Sequence, residues 1–491
     1  METNGRGAMA RLAEEEKPRL DEPPAEAGAS ARRTLVVLAL GLILAGVVLV
    51  TPLHGASPWA HRVMAIITLA LVLWIGEGLN IAVTSLLVVG LLAMFGPGGS
   101  SKATQSALYG FQLGAPYFLL GTLVVAAATV KSGLAARLAR LLVAGTGGST
   151  RRLYAQLVLF IPPFAITVPS ATTRNAILVP AYEHVMRRYG IRRGDTLARL
   201  VGLGLGQLQV IGSTAVLTGG VAPITTAFLL GGMSWGQWFV YMAVPNYAII
   251  LGTGTLYYLW QRPAPRVRAA PEFAAAQAGP WTPAEIRAAL IIGTMTLLWL
   301  GDFLTGWDPV IPALIGAVVL LAPGIGVLDW REFELSSPWG IFFVTASSLS
   351  IAHALETSGA ASWLATQLVG HVSLENLSLW LLLLVMIAVV LVVNVVLPNR
   401  SGALGILIPL LTSVALKVNL NPLPVGLLVG IMVQTTTFYP VQNAAALIVY
   451  RTRLFAPFDF LRAGLILFTV SVVAVYLVAL PWWSLIGIPI R

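Results

Sequence analysis

Cysteine is absent from this 491-residue chain, and charged residues account for only 10% of it. Without cysteine the protein has no disulfide framework, no thiolate metal site and no cysteine nucleophile. Five scattered histidines argue against a histidine-based metal site. Hydrophobic residues make up 57% of the sequence. The charged fraction is far below the value of about 25% for an average soluble domain. The composition therefore predicts an integral membrane protein embedded in a lipid bilayer.

The basic residues indicate how the chain is oriented. The net charge of +10 does not indicate nucleic-acid binding, because the basic residues lie in short loops beside apolar segments. Residues 1–32 lack the apolar core of a signal peptide and are expected to form a disordered cytoplasmic tail. With this tail inside the cell, 24 of the 30 basic residues fall on the cytoplasmic side and four fall outside. The positive-inside rule thus favours a multi-pass protein of the inner (cytoplasmic) membrane with a cytoplasmic N-terminus.

The apolar segments occur in two matching series. The first repeat covers 33–260, a polar cytoplasmic linker covers 261–282, and the second repeat covers 283–491. Each repeat contains a helical hairpin, at about 153–186 in the first and about 377–416 in the second. Polar residues and prolines interrupt these apolar segments too often for a single spanning helix. A broken span follows each hairpin. We therefore predict an all-α polytopic membrane protein with about 11 transmembrane spans. Its two inverted repeats each have a re-entrant hairpin and a broken helix, the first hairpin opening inward and the second outward.

The tips of the two hairpins carry the same polar pattern. Residues 168–180 and 397–409 match at three pairs: Ser170 with Asn399, Thr172 with Ser401, and Pro180 with Pro409. A re-entrant hairpin places the N-terminus of a half-helix near the membrane centre, where free N–H groups and the helix dipole attract anions. The substrate ligands predicted at the tips are Ser170, Thr172, Thr173, Arg174, Asn399, Arg400 and Ser401.

Arg174 and Arg400 are the strongest indication that the substrate is an anion. A buried arginine costs at least about 2.5–3.5 kcal/mol in a membrane, and no acidic residue lies close to either tip in the sequence. We therefore expect a small anion to neutralise both, with backbone carbonyls or an acidic residue from elsewhere in the chain as the alternative partners. Arg174→Ala or Arg400→Ala is expected to abolish anion uptake and to leave the protein folded.

These features resemble the divalent anion:sodium symporter family, whose members carry dicarboxylates, tricarboxylates or sulfate. The similarity covers roughly 34–485 and includes the order of spans and hairpins. In that family each tip carries Ser-Asn-Thr, and the loops of the broken spans are rich in Gly and Thr. The matching residues here are Ser170-Ala171-Thr172, Asn399-Arg400-Ser401, Thr218-Gly219-Gly220 and Tyr439-Pro440-Val441-Gln442-Asn443.

The resemblance implies a secondary active transporter that works as a homodimer by an elevator movement. It implies sodium as a coupling ion and no other cofactor or metal. It adds Thr436 and Asn443 to the substrate ligands. It also implies a sodium site with these residues: Ser170, Ser213, Thr214, Gly219, Asn399 and Thr437.

The favoured function is sodium-coupled transport of a small divalent anion, either a C4-dicarboxylate such as succinate or malate, or sulfate. A sodium-independent anion exchanger and a proton-coupled anion transporter are the alternatives. A cation/proton antiporter is less well supported, because it needs paired carboxylates in the middle of the membrane. A membrane-embedded enzyme is not expected, because the sequence contains no His-Glu-x-x-His motif and no pair of aspartates in adjacent spans.

Overall fold

The computed structural model of the protein describes residues 27–143, 149–168, 170–265, 279–372, 377–397 and 399–491. The regular structure in these ranges is helical and contains no β-strand. Eight of the described helices are long and apolar enough to cross a membrane, or nine if a bent pair at 330–357 forms one span. The all-α polytopic membrane fold is thus confirmed. The count of about 11 spans stays a prediction, and most of the 1–32 tail lies outside the described residues.

The first half of the chain forms thirteen α-helices within the described residues. They are α1 (Ala27–Val50), α2 (Pro58–Gly76), α3 (Ile81–Phe95), α4 (Ser100–Ala107), α5 (Tyr109–Gln112), α6 (Gly114–Lys131), α7 (Leu134–Val143), α8 (Thr150–Thr167), α9 (Ala171–Arg188), α10 (Thr196–Leu203), α11 (Gln209–Ala215), α12 (Val221–Leu229) and α13 (Trp235–Gln261). Ser and Asn side chains cap several N-termini, as Asn80 does for α3 and Ser149 for α8. A π-helical turn, Gly204–Leu208, joins α10 to α11.

The second half repeats this order after the linker, whose centre at 266–278 lies outside the described residues. Its helices are α14 (Pro283–Leu300), α15 (Asp302–Thr305), α16 (Val310–Leu321), α17 (Trp330–Ser336), α18 (Gly340–Thr357), α19 (Ala360–Val372), α20 (Leu379–Val396), α21 (Arg400–Lys417), α22 (Pro422–Thr435), α23 (Ala444–Arg451), α24 (Pro457–Ala474) and α25 (Leu480–Leu485). A π-helical turn, Val475–Ala479, joins α24 to α25. Helices α17 and α18 meet at a bend of 67°.

The two helical hairpins, α8–α9 and α20–α21, enter the helix bundle from opposite ends. At the base of the first, Thr150 Oγ1 donates a 2.6 Å hydrogen bond to Ala264 O, just beyond the C-terminus of α13. At the base of the second, the N–H of Asn421 donates to Ile490 O at 2.8 Å. Helix α25, which precedes Ile490 in the chain, contacts the first part of α13, because the indole N–H of Trp483 donates to the Tyr241 carbonyl. Because the bases lie at opposite ends of α13, the hairpins have the opposed directions expected of inverted repeats.

The short amphipathic helix α7 is tied to the start of the second repeat. Arg137 on α7 donates to both carboxylate oxygens of Glu285 on α14, at 3.0 and 2.8 Å, and both side chains are buried. Glu285 also closes a capping box with Thr282, which fixes the N-terminus of α14. The ion pair therefore holds the element that leads into the first hairpin against the second half of the chain.

Candidate functional site

Both hairpin tips border one cavity of about 1120 Å³, which we call the central cavity. Its wall contains the first tip at 170–173 and the second tip at 399–401. The broken spans contribute their break loops, at 219–222 between α11 and α12 and at 442–444 between α22 and α23. The structure thus brings both tips and both break loops to a single space. The N-termini of α9, α12, α21 and α23 all border it.

Ser170 holds the first tip against the first break loop. Its backbone has a φ of +96°, which is rare for a residue with a side chain and marks a strained turn. Its N–H donates to Gly219 O at 3.1 Å, and its Oγ caps α9 by accepting from the Thr173 N–H at 3.3 Å. Gly219 is required sterically, because a Cβ there would lie 2.0 Å from the Ser213 carbonyl oxygen. The strained tip and this close approach together fix the position of Thr172 and Thr173 at the cavity wall.

Arg174 does not line the central cavity in the described structure. Its side chain is fully buried behind the tip. The guanidinium donates to the Gln209 side-chain oxygen at 2.9 Å, the Gln209 carbonyl at 2.7 Å, the Val168 carbonyl at 2.8 Å and Ser213 Oγ at 2.5 Å. All four acceptors are neutral, so the charge is solvated by protein oxygens. The sequence predicts an anion at this guanidinium, whereas its partners in the described structure are oxygen atoms of the protein.

The second tip keeps its arginine at the cavity. Asn399 caps α21, its Oδ1 accepting from the Gly402 N–H at 3.2 Å. Arg400 and Ser401 follow directly at the cavity wall. Within the described residues the Arg400 guanidinium makes one hydrogen bond, from Nη2 to Thr437 Oγ1 at 3.0 Å. Arg400 therefore has donor N–H groups left for a ligand.

The remaining predicted ligands divide into those at the cavity and those behind it. Asn443 lines the cavity and caps α23 by accepting from the Ala445 N–H at 2.9 Å. Ser213 and Gly219 also line it. Thr214, Thr436 and Thr437 do not line the cavity, and the hydroxyls of Thr214 and Thr436 donate to carbonyls of their own helices. Thr437 acts indirectly, as the acceptor for Arg400.

Three buried amides that sequence reasoning did not single out also shape the site. Asn175 Nδ2 donates to Leu205 O and Ala445 O, both at 2.8 Å, and so joins α9 to both broken spans. Gln207 Nε2 donates to the Thr437 carbonyl at 3.2 Å and thereby supports the second break loop. Gln434 lines the cavity itself. Their sequence signal is weak, because single amides in apolar helices also serve as ordinary packing residues.

Charged residues are scarce around the cavity. In the described part of the chain its wall carries Arg400 together with Lys131 and Glu332, which form an ion pair with each other. The net charge of these three is positive. Helix N-termini add further positive potential, since each carries free N–H groups and roughly half a unit charge. The site therefore suits a small anion much better than a cation.

Two inverted repeats with discontinuous helices, whose breaks meet at one central cavity, define the class of membrane secondary transporters. The chain belongs to the family described as the sodium:sulfate symporter transmembrane region, which it matches over residues 31–488. This confirms the resemblance to the divalent anion:sodium symporters that the tips and break loops indicated.

Individual relatives are distant but similar over most of their length. The chain is 25% identical to a membrane protein of Cupriavidus necator, over 88% of this chain and 89% of that one. It is 24% identical to the L-tartrate/succinate antiporter of Escherichia coli K12, over 79% of this chain and 82% of that one. Its fold is similar to the solved structure of the Alcanivorax borkumensis YdaH transporter, with a TM-score of 0.51 and 16% identity over 95% of this chain and 99% of that chain.

Proposed function

We propose that the protein is a secondary active transporter that binds a small divalent anion in the central cavity and carries it across the membrane. The observation that carries this proposal is the meeting of four helix N-termini and Arg400 at one cavity. Free N–H groups at helix N-termini bind carboxylate and sulfate oxygens, and a guanidinium adds charge-assisted hydrogen bonds. Family membership supports the same substrate class.

The anion is held between the two repeats in this proposal. Thr172 and Thr173 on the first tip, and Ser401 on the second, have no side-chain hydrogen bond to the rest of the described protein. All three residues line a cavity that Arg400 makes positive, so we assign their hydroxyls to the two ends of the substrate. Moving both tips together past the remaining helices would expose the anion to either side in turn, as in an elevator. We propose a homodimer in the cytoplasmic membrane, with the N-terminus inside, on the family resemblance and the distribution of basic residues.

We propose that transport does not require sodium and proceeds by anion exchange. The specific observation is the position of Arg174, whose guanidinium is surrounded by four oxygen atoms and contacts Ser213, a residue assigned to the sodium site by resemblance. A fixed guanidinium at this place supplies the positive charge that a bound sodium ion would otherwise supply. The L-tartrate/succinate antiporter of Escherichia coli K12 is an exchanger by name. Sodium symport is the competing outcome of the test below.

Counterflow in proteoliposomes tests both parts of this proposal. Vesicles preloaded with unlabelled succinate receive labelled succinate or sulfate outside, in either sodium chloride or choline chloride. We expect preloading to accelerate uptake equally in both salts. If uptake needs an inward sodium gradient, the protein is a sodium symporter and the exchange proposal is wrong. A lack of any anion flux, with folded protein in the vesicles, would contradict the anion-transport proposal itself.

The orientation has its own test, because the chain contains no native cysteine. Arg193→Cys introduces a single thiol at an exposed position just beyond the base of the first hairpin, and Lys417→Cys introduces one at the exposed end of the second. A membrane-impermeant maleimide added to whole cells is expected to label the thiol at position 417 and not the one at 193. The reverse pattern would show that the N-terminus lies outside.

A further inference from the structure

An ion pair forms part of the wall of the central cavity. Lys131, the last residue of α6, donates from Nζ to a carboxylate oxygen of Glu332 on α17, and both residues line the cavity. Their side chains are 52% and 42% exposed. Leu335 and Ser336, which follow on α17, also line the cavity and are exposed. These four residues therefore lie where the cavity opens to its surroundings, and we call them the cavity mouth.

The cavity mouth lies at the end of the helix bundle that holds the base of the first hairpin. Two residues after Lys131, a Cβ at Gly133 would lie 3.6 Å from a carboxylate oxygen of Glu285, at the start of α14. That helix begins directly after the linker, and the hairpin base is bonded to the linker through Thr150 and Ala264. In the orientation proposed above this end is cytoplasmic. An anion that enters or leaves the cavity on this side therefore passes the ion pair.

Stability does not account for the position of this pair. Ion pairs with exposed side chains contribute little to the stability of a protein. The other charged residues of the same segment, Asp329, Arg331 and Glu334, are exposed and do not line the cavity. Within the described part of the chain, Glu332 is thus the acidic residue on the cavity wall.

A negative charge at the cavity mouth opposes the binding of an anion inside. Arg400 and the helix N-termini attract a dianion, whereas an unpaired Glu332 repels it. A carboxylate about 10 Å from a dianion weakens its binding by about three- to tenfold in a solvated mouth at low ionic strength. Lys131 converts this single charge into a neutral pair, whose potential falls off faster with distance.

We propose that Lys131 is a positioning residue for transport, which neutralises Glu332 at the cavity mouth and so allows a divalent anion to reach the hairpin tips. This inference rests on the proposed function, because it concerns how the substrate reaches the same cavity. Lys131 acts through Glu332 and does not have to touch the bound anion.

The test measures the dissociation constant of succinate for the purified full-length protein by isothermal titration calorimetry at low ionic strength. Lys131→Met leaves Glu332 unpaired and is expected to raise this constant by about three- to tenfold. Glu332→Gln leaves the lysine charge unopposed and is expected to lower it. The double variant and Lys131→Arg are both expected to return to the wild-type value. A merely structural pair predicts weaker binding in both single variants, so the opposite signs distinguish the two roles.

Ionic strength gives a second criterion. In about 1 M choline chloride, where the Debye length is about 3 Å, the difference between Lys131→Met and wild-type protein is expected to disappear largely. The matched control is Lys102→Met, at an exposed lysine outside the cavity wall, which is expected to bind succinate as the wild-type protein does.

Unchanged binding in Lys131→Met, or weaker binding in Glu332→Gln, would overturn the role of Lys131. In both cases the wild-type protein still binds succinate. These results therefore differ from a failure of the proposed function, in which the wild-type protein binds neither succinate nor sulfate.

Discussion

Replacing Arg174 with alanine is expected to destabilise the protein and to create a response to sodium. Two of its four acceptors, the Val168 carbonyl and the Gln209 side-chain oxygen, have no other donor among the described residues. Each buried acceptor left unpaired costs about 1–3 kcal/mol, which gives about 2–6 kcal/mol for the two. The sequence predicts instead that Arg174→Ala stays folded and loses only transport, so the unfolding measurement distinguishes the two expectations.

The vacated space behind the tip would still be surrounded by oxygen atoms of Val168, Gln209 and Ser213. If the guanidinium replaces a sodium ion, sodium should bind there in the variant and stabilise it. A ligand that binds only the folded state contributes about 1.4 kcal/mol at ten times its Kd and about 2.7 kcal/mol at one hundred times. Part of the stability lost in Arg174→Ala should therefore return when sodium is added.

The assay is equilibrium unfolding in mixed micelles, with sodium chloride compared with choline chloride at equal ionic strength. Wild-type protein is expected to unfold identically in both salts, as is the control Arg193→Ala, which removes an exposed arginine. A wild-type protein that sodium stabilises would refute the reasoning, because a cation site would then coexist with Arg174. An Arg174→Ala variant with unchanged stability would refute the assigned hydrogen bonds.

Other substitutions test the contacts that position the site. Gly219→Ala is expected to lower anion uptake, because its Cβ would meet the Ser213 carbonyl at 2.0 Å, whereas Gly46→Ala, with open space around it, is expected to leave uptake unchanged. Asn175→Leu removes two buried hydrogen bonds and is expected to destabilise the fold by about 0.5–1.5 kcal/mol for each, as measured by unfolding in mixed micelles. The control Arg453→Ala, at an exposed position, is expected to change the free energy of unfolding little.

The fold was largely predictable from the sequence, because interruptions in apolar segments are conspicuous. Polar and proline-containing clusters at 168–180 and 397–409 stand out against their surroundings, and both become hairpin tips at the central cavity. The basic residues gave an independent orientation for the two hairpins. Helix ends such as those at 131 and 357 were also visible, because glycine follows closely in each repeat.

It was harder to predict that Arg400 lies at the cavity wall and that Arg174 is buried behind the first tip. Arg400 directly follows the capping residue Asn399, so it occupies the first helical position at the tip itself. Arg174 follows its capping residue Ser170 by four positions, which is more than one helical turn and about 6 Å along the axis. That distance carries Arg174 behind the tip to Gln209 on α11. Which partners it meets there depends on the packing of a separate helix, and no local pattern specifies it.

The amides at the site were missed for a related reason. Gln207 and Gln434 lie within apolar stretches, where the sequence gives no sign of which helix face borders a cavity. Their importance appears only when the break loops and tips are placed together. Hydrogen bonds to backbone carbonyls, such as that from Gln207 to Thr437, have no signature in the partner's residue type.

The central claim is that the two hairpin tips form one anion site, and a double-mutant cycle on anion binding tests it most directly. The dissociation constant of L-malate is measured by calorimetry for wild-type protein, Thr172→Val on the first tip, Arg400→Gln on the second, and the double variant. We predict one anion bound per chain, weakening of about 2- to 10-fold for Thr172→Val and about 10- to 100-fold for Arg400→Gln, and non-additive effects in the double variant. Binding of two anions per chain, or an affinity that only one tip affects, would contradict a site shared between the repeats.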